Sequence, residues 1–243
     1  MSPLVILHTN DFHNRLTPQK AQRIVERRKS LQAHLLLDAG DAVAAGNLTF
    51  HPGGEPILDL MSGAAYDAMV VGNREFHFTA AGFHAKLSRA RFPVLCANVH
   101  PRAPSANLPV VPWAQWSVEG KTVVAFGLTV PMITERMKVR HASAYVFADP
   151  IATARQLVPS LRQRCDYLIC ISHLGLRIDR ELASSVPGIN LIVGGHTHAL
   201  LEHGELIDST LIVQAGSHAR FLGIVTVQWN ESSPASHAVV ETL

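Results

Sequence analysis

Cysteine is scarce, with three residues (Cys96, Cys165 and Cys170) in a chain of 243. An odd number without C-x-x-C spacing excludes a disulfide framework and a thiolate zinc site, and it fits a reducing compartment. Long apolar runs are missing too. The first run, Leu4-Val5-Ile6-Leu7, is too short for the apolar region of a signal peptide, and nothing approaches the ~18 residues of a membrane-spanning helix. A cytoplasmic protein without membrane contact is expected. Charged residues are only 16% and the net charge is +2. The single basic cluster, Arg23, Arg27, Arg28 and Lys29 around Glu26, falls on an amphipathic helical stretch and reads as a solvated face, so a nucleic-acid partner is not expected. No glycine-rich dinucleotide turn follows a strand and no pair of catalytic glutamates stands out, which excludes nicotinamide-dependent and glycosidic chemistry.

What the chain has is an ordinary apolar share, 47%, and fourteen histidines. A mass of 26.4 kDa buries roughly 70% of the unfolded surface, enough for a core without staples. One domain over residues 1–243 is expected. Apolar strands are expected at 4–8, 35–37, 68–71, 94–99, 167–171, 189–193, 211–214 and 221–229, and a hairpin joins 113–118 to 122–130 through Glu119-Gly120-Lys121. Helices are expected at 17–33, 55–61, 79–90 and 151–164. Strands alternating with helices predict an α/β fold, and the hairpins imply a mixed sheet or two packed sheets. Ligands of such folds sit beyond the carboxyl ends of the strands.

Chemistry-bearing residues gather at those ends. Thr9-Asn10-Asp11-Phe12-His13 supplies Asp11 and His13, whose i, i+2 spacing in extended backbone aims both to one side. Gly40-Asp41 supplies Asp41, Gly72-Asn73 supplies Asn73, Ser172-His173 supplies His173, and Gly194-Gly195-His196-Thr197-His198 supplies His196 and His198. Seven nitrogen and oxygen ligands are too many for one first-row ion. If Asp41 bridges, the other six divide three and three between two ions ~3.5–4 Å apart. Manganese is the first expectation for the two divalent cations, with zinc, iron, nickel or cobalt as alternatives.

In this order the motifs resemble those of the calcineurin-like metallophosphoesterases, and within them the amino-terminal domain of the 5′-nucleotidases. Ala97-Asn98-Val99 and Gln214-Ala215-Gly216-Ser217-His218-Ala219-Arg220 extend the likeness over nearly the whole chain. The resemblance implies a four-layer α-β-β-α sandwich with two mixed sheets. It implies Asp11, His13, Asp41 and His198 on one metal, and Asp41, Asn73, His173 and His196 on the other. It implies hydrolysis of small phosphomonoesters, nucleotides among them, by in-line attack of a metal-held hydroxide. The alternatives are a phosphodiesterase acting on cyclic nucleotides or other diesters, and a catalytically weak metal-binding regulatory module.

Two departures qualify this expectation. The family follows its Asn ligand with a His that assists the leaving group, and places an Asp three residues further on to orient that His. Here Arg74 and His77 occupy those positions in Gly72-Asn73-Arg74-Glu75-Phe76-His77. A guanidinium cannot act as a general acid but grips phosphate bidentately. Arg74 is therefore expected to stabilise the transferring phosphoryl group, and His77, or failing that His218, to supply a proton. The family's carboxyl-terminal nucleotide-binding domain is also expected to have no counterpart here, so a nucleotide substrate is not carried over from the resemblance. Among the other histidines, His8 is expected to be packed, while His34, His84, His141, His203 and His237 are expected at structural or surface positions. His51 and His100 lie on loops able to reach the pocket, and Asn98 orients a ligand or a turn.

Overall fold

The structure is a computed structural model that describes residues 2–103, 107–229 and 234–243. Two six-stranded sheets lie face to face. The first is built from β1 (Leu4–Thr9), β2 (Leu35–Asp38), β3 (Ala68–Val70), β4 (Val94–Leu95), β13 (Phe221–Gln228) and β14 (Ala235–Thr242), in the order β14-β13-β1-β2-β3-β4. The second is built from β6 (Trp113–Val118), β7 (Lys121–Thr129), β9 (Tyr167–His173), β10 (Leu191–Gly194), β11 (Glu205–Ile207) and β12 (Thr210–Val213), in the order β11-β12-β10-β9-β7-β6. β1 to β4 run parallel, as do β7, β9, β10 and β12, while the outer strands pair antiparallel, so both sheets are mixed. A small ribbon of β5 (Val99–Pro101) and β8 (Tyr145–Phe147) stands beside them.

Alternation along each central strand sends side chains to two separate cores. Leu4 and Ile6 of β1 pack with Ile169 and Ile171 of β9 in the layer between the sheets, whereas Val5 and Leu7 face outward. That outer face is covered by α1 (Pro18–Ser30), α2 (Ile57–Gly63) and α3 (Ala80–Leu87) through Ile24, Met61 and Phe83. The outer face of the second sheet is covered by α4 (Pro150–Arg162) and α5 (Leu176–Ser185) through Val158 and Leu182. The result is the expected four-layer α-β-β-α sandwich. α1 starts where the sequence puts it, with Thr17 Oγ1 accepting the Lys20 amide and Pro18 at the first helical position.

The run at 94–99 is not one strand. β4 pairs with β3, after which the Cys96 amide donates to Val111 and the Ala97 amide to Gly127, so the chain leaves the first sheet and crosses β7. Asn98 fixes that crossing: its Nδ2 donates to Thr129 O at 2.8 Å and its Oδ1 accepts the Thr129 amide at 3.1 Å, the turn-stabilising role. Sequence periodicity also passes over α5, β8, β11 and β14. The buried face of α5 includes Asp179 beside Leu182 and Ala183, which breaks its apolar stripe.

Candidate metal centre

All seven candidate ligands lie at the carboxyl ends of parallel strands. Asp11, His13, Asp41 and Asn73 follow strands of the first sheet, and His173, His196 and His198 end or follow strands of the second. The loops after β1 and β2 zip together, with the Asp11 amide donating to Gly40 O (2.9 Å) and the His13 amide to Asp41 O (3.0 Å). Between Asp11 and His13, Phe12 is fully buried and anchors the turn. Asp11, His13, Asp41, His196 and His198 all have positive φ, a region costly for non-glycine residues that clusters at functional sites. Gly72 allows the third loop to close on the second: a Cβ there would overlap the backbone nitrogen and Oδ1 of Asp41.

The side chains form two linked groups. In one, His13 Nε2 and His198 Nε2 face each other at 3.0 Å, with Asp11 Oδ1 at 3.8 and 3.3 Å from them. In the other, Asp11, Asp41 and His173 converge, with His173 Nε2 3.4 Å from Asp41 Oδ1. Asn73 Oδ1 lies 3.2 Å from His173 Nε2 and 3.1 Å from His196 Nδ1, which brings His196 into this second group.

Supporting contacts orient the donors. His173 Nδ1 lies 2.6 Å from Ala39 O, so this nitrogen keeps its proton and Nε2 is the one that would give up its proton to ligate a cation. Asp11 Oδ2 accepts from Asn10 Nδ2 (2.8 Å) and the His196 amide (3.0 Å), while buried Oδ1 has no hydrogen-bond partner among the described residues. An orphaned carboxylate oxygen facing two imidazole nitrogens, beside an Asn oxygen held between two more, is the donor set of a divalent cation site. The centre attracts positive charge by itself. Burial disfavours protonation of His173, but its contact with Asp41 outweighs this and pushes the imidazole up to about 9, holding the Asp41 carboxyl below its ordinary value.

Arg74 and His77 have different surroundings. The Arg74 amide donates to Asp41 Oδ1 (2.8 Å), its Nη1 donates to Ala44 O (2.8 Å), and its buried Nε, 3.8 Å from Asp41 Oδ2, has no hydrogen-bond partner among the described residues. His77 is buried. Its Nδ1 accepts the Thr79 amide at 3.1 Å, and its ring stacks on Phe78 and meets the edge of Phe50. His218 is exposed at the rim, with ring centroids 5.2 Å from His13 and 5.6 Å from His198. His100 lines a separate cleft with Arg102 and Arg140, and His51 is exposed.

Sequence reasoning missed the residues that hold the loops. Buried Glu75 accepts the amides of Asp41 (2.9 Å), Gly72 (2.8 Å) and Val43 (3.1 Å); burial and the Asp41 charge push its carboxyl up to about 7. Fully buried Lys86 donates to Arg74 O (2.6 Å) and Gly46 O (2.8 Å). Glu75 sits inside a quoted motif and was open to notice. Lys86, on α3, gives no local signal.

The family model described as calcineurin-like phosphoesterase matches residues 4–200. The trifunctional nucleotide phosphoesterase YfkN of Bacillus subtilis is 32% identical over 94% of this chain and 18% of its own length. The venom 5′-nucleotidase of Naja atra is 28% identical over 94% of this chain and 50% of its own. The chain thus spans half or less of these curated relatives. Among solved structures, a 5′-nucleotidase precursor from Thermus thermophilus superposes with a TM-score of 0.78 at 27% identity, covering 99% of this chain and 55% of that one. A Bacillus subtilis YfkN structure at 20% identity shares the fold, with a TM-score of 0.77 over 99% of this chain and 91% of that one.

Proposed function

This chain belongs to the calcineurin-like phosphoesterase family and is a metal-dependent phosphoester hydrolase, and on that premise we propose that it cleaves small phosphate monoesters at two divalent cations. The observation that carries this reading is the convergence of seven nitrogen and oxygen donors from the strand ends of two different sheets. Asp11, His13 and His198 would hold one ion and Asn73, His173 and His196 the other, with Asp41 between them. When bound, such ions neutralise phosphate oxygens and lower the pKa of a coordinated water from 15.7 toward ~7.

The chain's own groups do the rest. Arg74, tethered through Ala44 and beside Asp41, brings a fixed positive charge to the phosphoryl oxygens. The guanidinium is partly exposed, and a doubly charged monoester is held by that charge more strongly than a singly charged diester is. His77 acts in this reading through position: with Nδ1 engaged by Thr79, it holds Phe50 and Phe78 in place. His218, against His13 and His198, is the imidazole within reach of a phosphoryl oxygen or of solvent exchanging with it. Nucleotides enter as substrates through the names of the relatives alone.

Metal-stripped protein reconstituted with Mn²⁺, Zn²⁺, Ni²⁺ or Co²⁺ should turn over para-nitrophenyl phosphate faster than bis-para-nitrophenyl phosphate and bind two ions per chain. Preference for the bis-ester would make it a diesterase. Tight metal binding without turnover of either ester would make it a regulatory module.

A further inference from the structure

On the loops that lead away from Asp41 and Asn73 lies a cavity of about 400 Å³, lined by Asn47, Leu48, Phe76, Phe78, Met132 and Ile133 among others. Its volume is that of a small-ligand site. Much of its wall grows from the loops that follow β2, β3 and β7. Phe76 and Phe78 continue the turn of Asn73 and Arg74; Leu48 lies on the loop that begins at Asp41; Met132 and Ile133 follow Thr129, which pairs with His173 across β7 and β9. The loops are fastened together, because Arg74 donates to Ala44 O and Lys86 donates to both Gly46 O and Arg74 O. Arg74 and Lys86 therefore join the loop that leads from Asp41 to Leu48 to the turn that leads from Asn73 to Phe76 and Phe78.

The lining is apolar and aromatic, with Asn47 its one polar side chain. Leu48 is 78% exposed and Val139, at the same cavity, 51% exposed, an apolar opening on a surface where such residues are few. A sugar would leave its hydroxyls unpaired here, whereas a flat hydrocarbon ring would displace water at no such cost. A second, independent observation concerns the proton. Among the described residues around the cavity the groups that could donate are committed, since Arg74 is a guanidinium, His77 is buried with Nδ1 engaged by Thr79 and a further hydrogen bond to the Leu48 backbone, and Lys86 donates to backbone carbonyls, while His218 stands apart against His13 and His198. Without a general acid, the leaving group has to depart as an anion. A phenolate, with a conjugate acid near 10, does so; an alkoxide, comparable in basicity to hydroxide, does not.

We propose that this cavity receives the leaving group of the substrate and that the preferred esters are aryl phosphate monoesters with an apolar ring, an inference that rests on the phosphomonoesterase reading above. In the reaction, the oxygen of water bonds to phosphorus while the bond from phosphorus to the aryl oxygen breaks, and its electron pair stays on that oxygen. The phenolate takes its proton from solvent. Aryl phosphate dianion and water thus become phenol and hydrogen phosphate.

The test uses the manganese-loaded full chain with 1-naphthyl, phenyl and n-butyl phosphates. kcat/KM should fall at least 100-fold from phenyl to butyl, and should be five- to tenfold higher for naphthyl than for phenyl. Leu48→Ser, an exposed substitution that spares the core, should cancel the naphthyl advantage while leaving metal content unchanged. Val139→Ser should weaken it in the same direction. Rates independent of leaving-group basicity, or a naphthyl advantage unchanged in both variants, overturn the proposal and leave the phosphatase reading standing. No metal-dependent turnover of any ester overturns both.

Discussion

Glu75 Oε2 accepts the backbone amide of Asp41 at 2.9 Å and, with the same oxygen, the amide of Gly72 at 2.8 Å. One buried carboxylate thereby sets the spacing between the loop that carries Asp41 and the loop that carries Asn73. Glu75→Gln would turn an amide group toward backbone N–H donors. Residues that orient metal ligands typically contribute 10–100-fold to affinity. Manganese affinity should fall within that range, measured by calorimetric titration, while the circular dichroism spectrum stays unchanged.

In the proposed centre Asp41 lies between the two ions, so its loss should be felt at both. Asp41→Asn is expected to hold fewer than two manganese ions per chain by elemental analysis after gel filtration. Turnover of aryl phosphate should fall by ~10³ or more, since charge stabilisation is the largest single contribution to such reactions. Retention of two ions at full activity would remove Asp41 from the centre.

Arg74→Ala removes a charged donor from beside Asp41, and loss of one such donor typically costs about 10²–10³ in kcat. A change in kcat/KM of less than threefold would take Arg74 out of the mechanism. The double variant Arg74→His with His77→Asp rebuilds the pair implied by the family resemblance. Butyl phosphate turnover should then rise relative to phenyl phosphate by at least ~10-fold, the lower part of what a general acid supplies.

His8 lies between the sheets with both ring nitrogens unpaired among the described residues, and burial pushes its pKa down to about 3. The folded state therefore refuses a proton that the unfolded chain accepts below ~6.5. The stability of neutral His8 is intact above that value and is lost as pH falls, at about 1.4 kcal/mol per unit, so roughly 2 kcal/mol has gone by pH 5. Urea unfolding of His8→Leu at pH 7 and pH 5 should lack this loss relative to wild type. The ring rests on Gly223, the residue paired with it on β13, where a Cβ would collide with the imidazole. Gly223→Ala should accordingly be strongly destabilised, and His8→Ala in the same chain should recover part of the deficit.

The motif residues were legible because metal chemistry restricts which side chains serve and because turns after parallel strands are short. Asp11, His13, Asp41, Asn73, His173, His196 and His198 all lie where the order of strands put them. Four layers were not legible from periodicity, since an apolar run looks the same whether it faces a helix or a second sheet. The break after Leu95 depends on Asn98 binding Thr129, 31 residues away, and Lys86 depends on carbonyls 12 and 40 residues distant. Such partners have no local trace. Arg74 and His77 were visible as substitutions, but only three-dimensional placement separates a side chain beside Asp41 from one packed between Phe50 and Phe78.

The candidate ligands come four from one sheet and three from the other, so the cations would rivet two halves that meet through an apolar seam including Leu4, Ile6, Ile169 and Ile171 and through hydrogen bonds such as that of Tyr167 with Ser236. That seam is the calliper of the reaction centre: sliding the sheets by an ångström would spoil the bite on both ions at once. Trimming Ile169 to Ala, far from any donor atom, would then surface first as a leak of manganese.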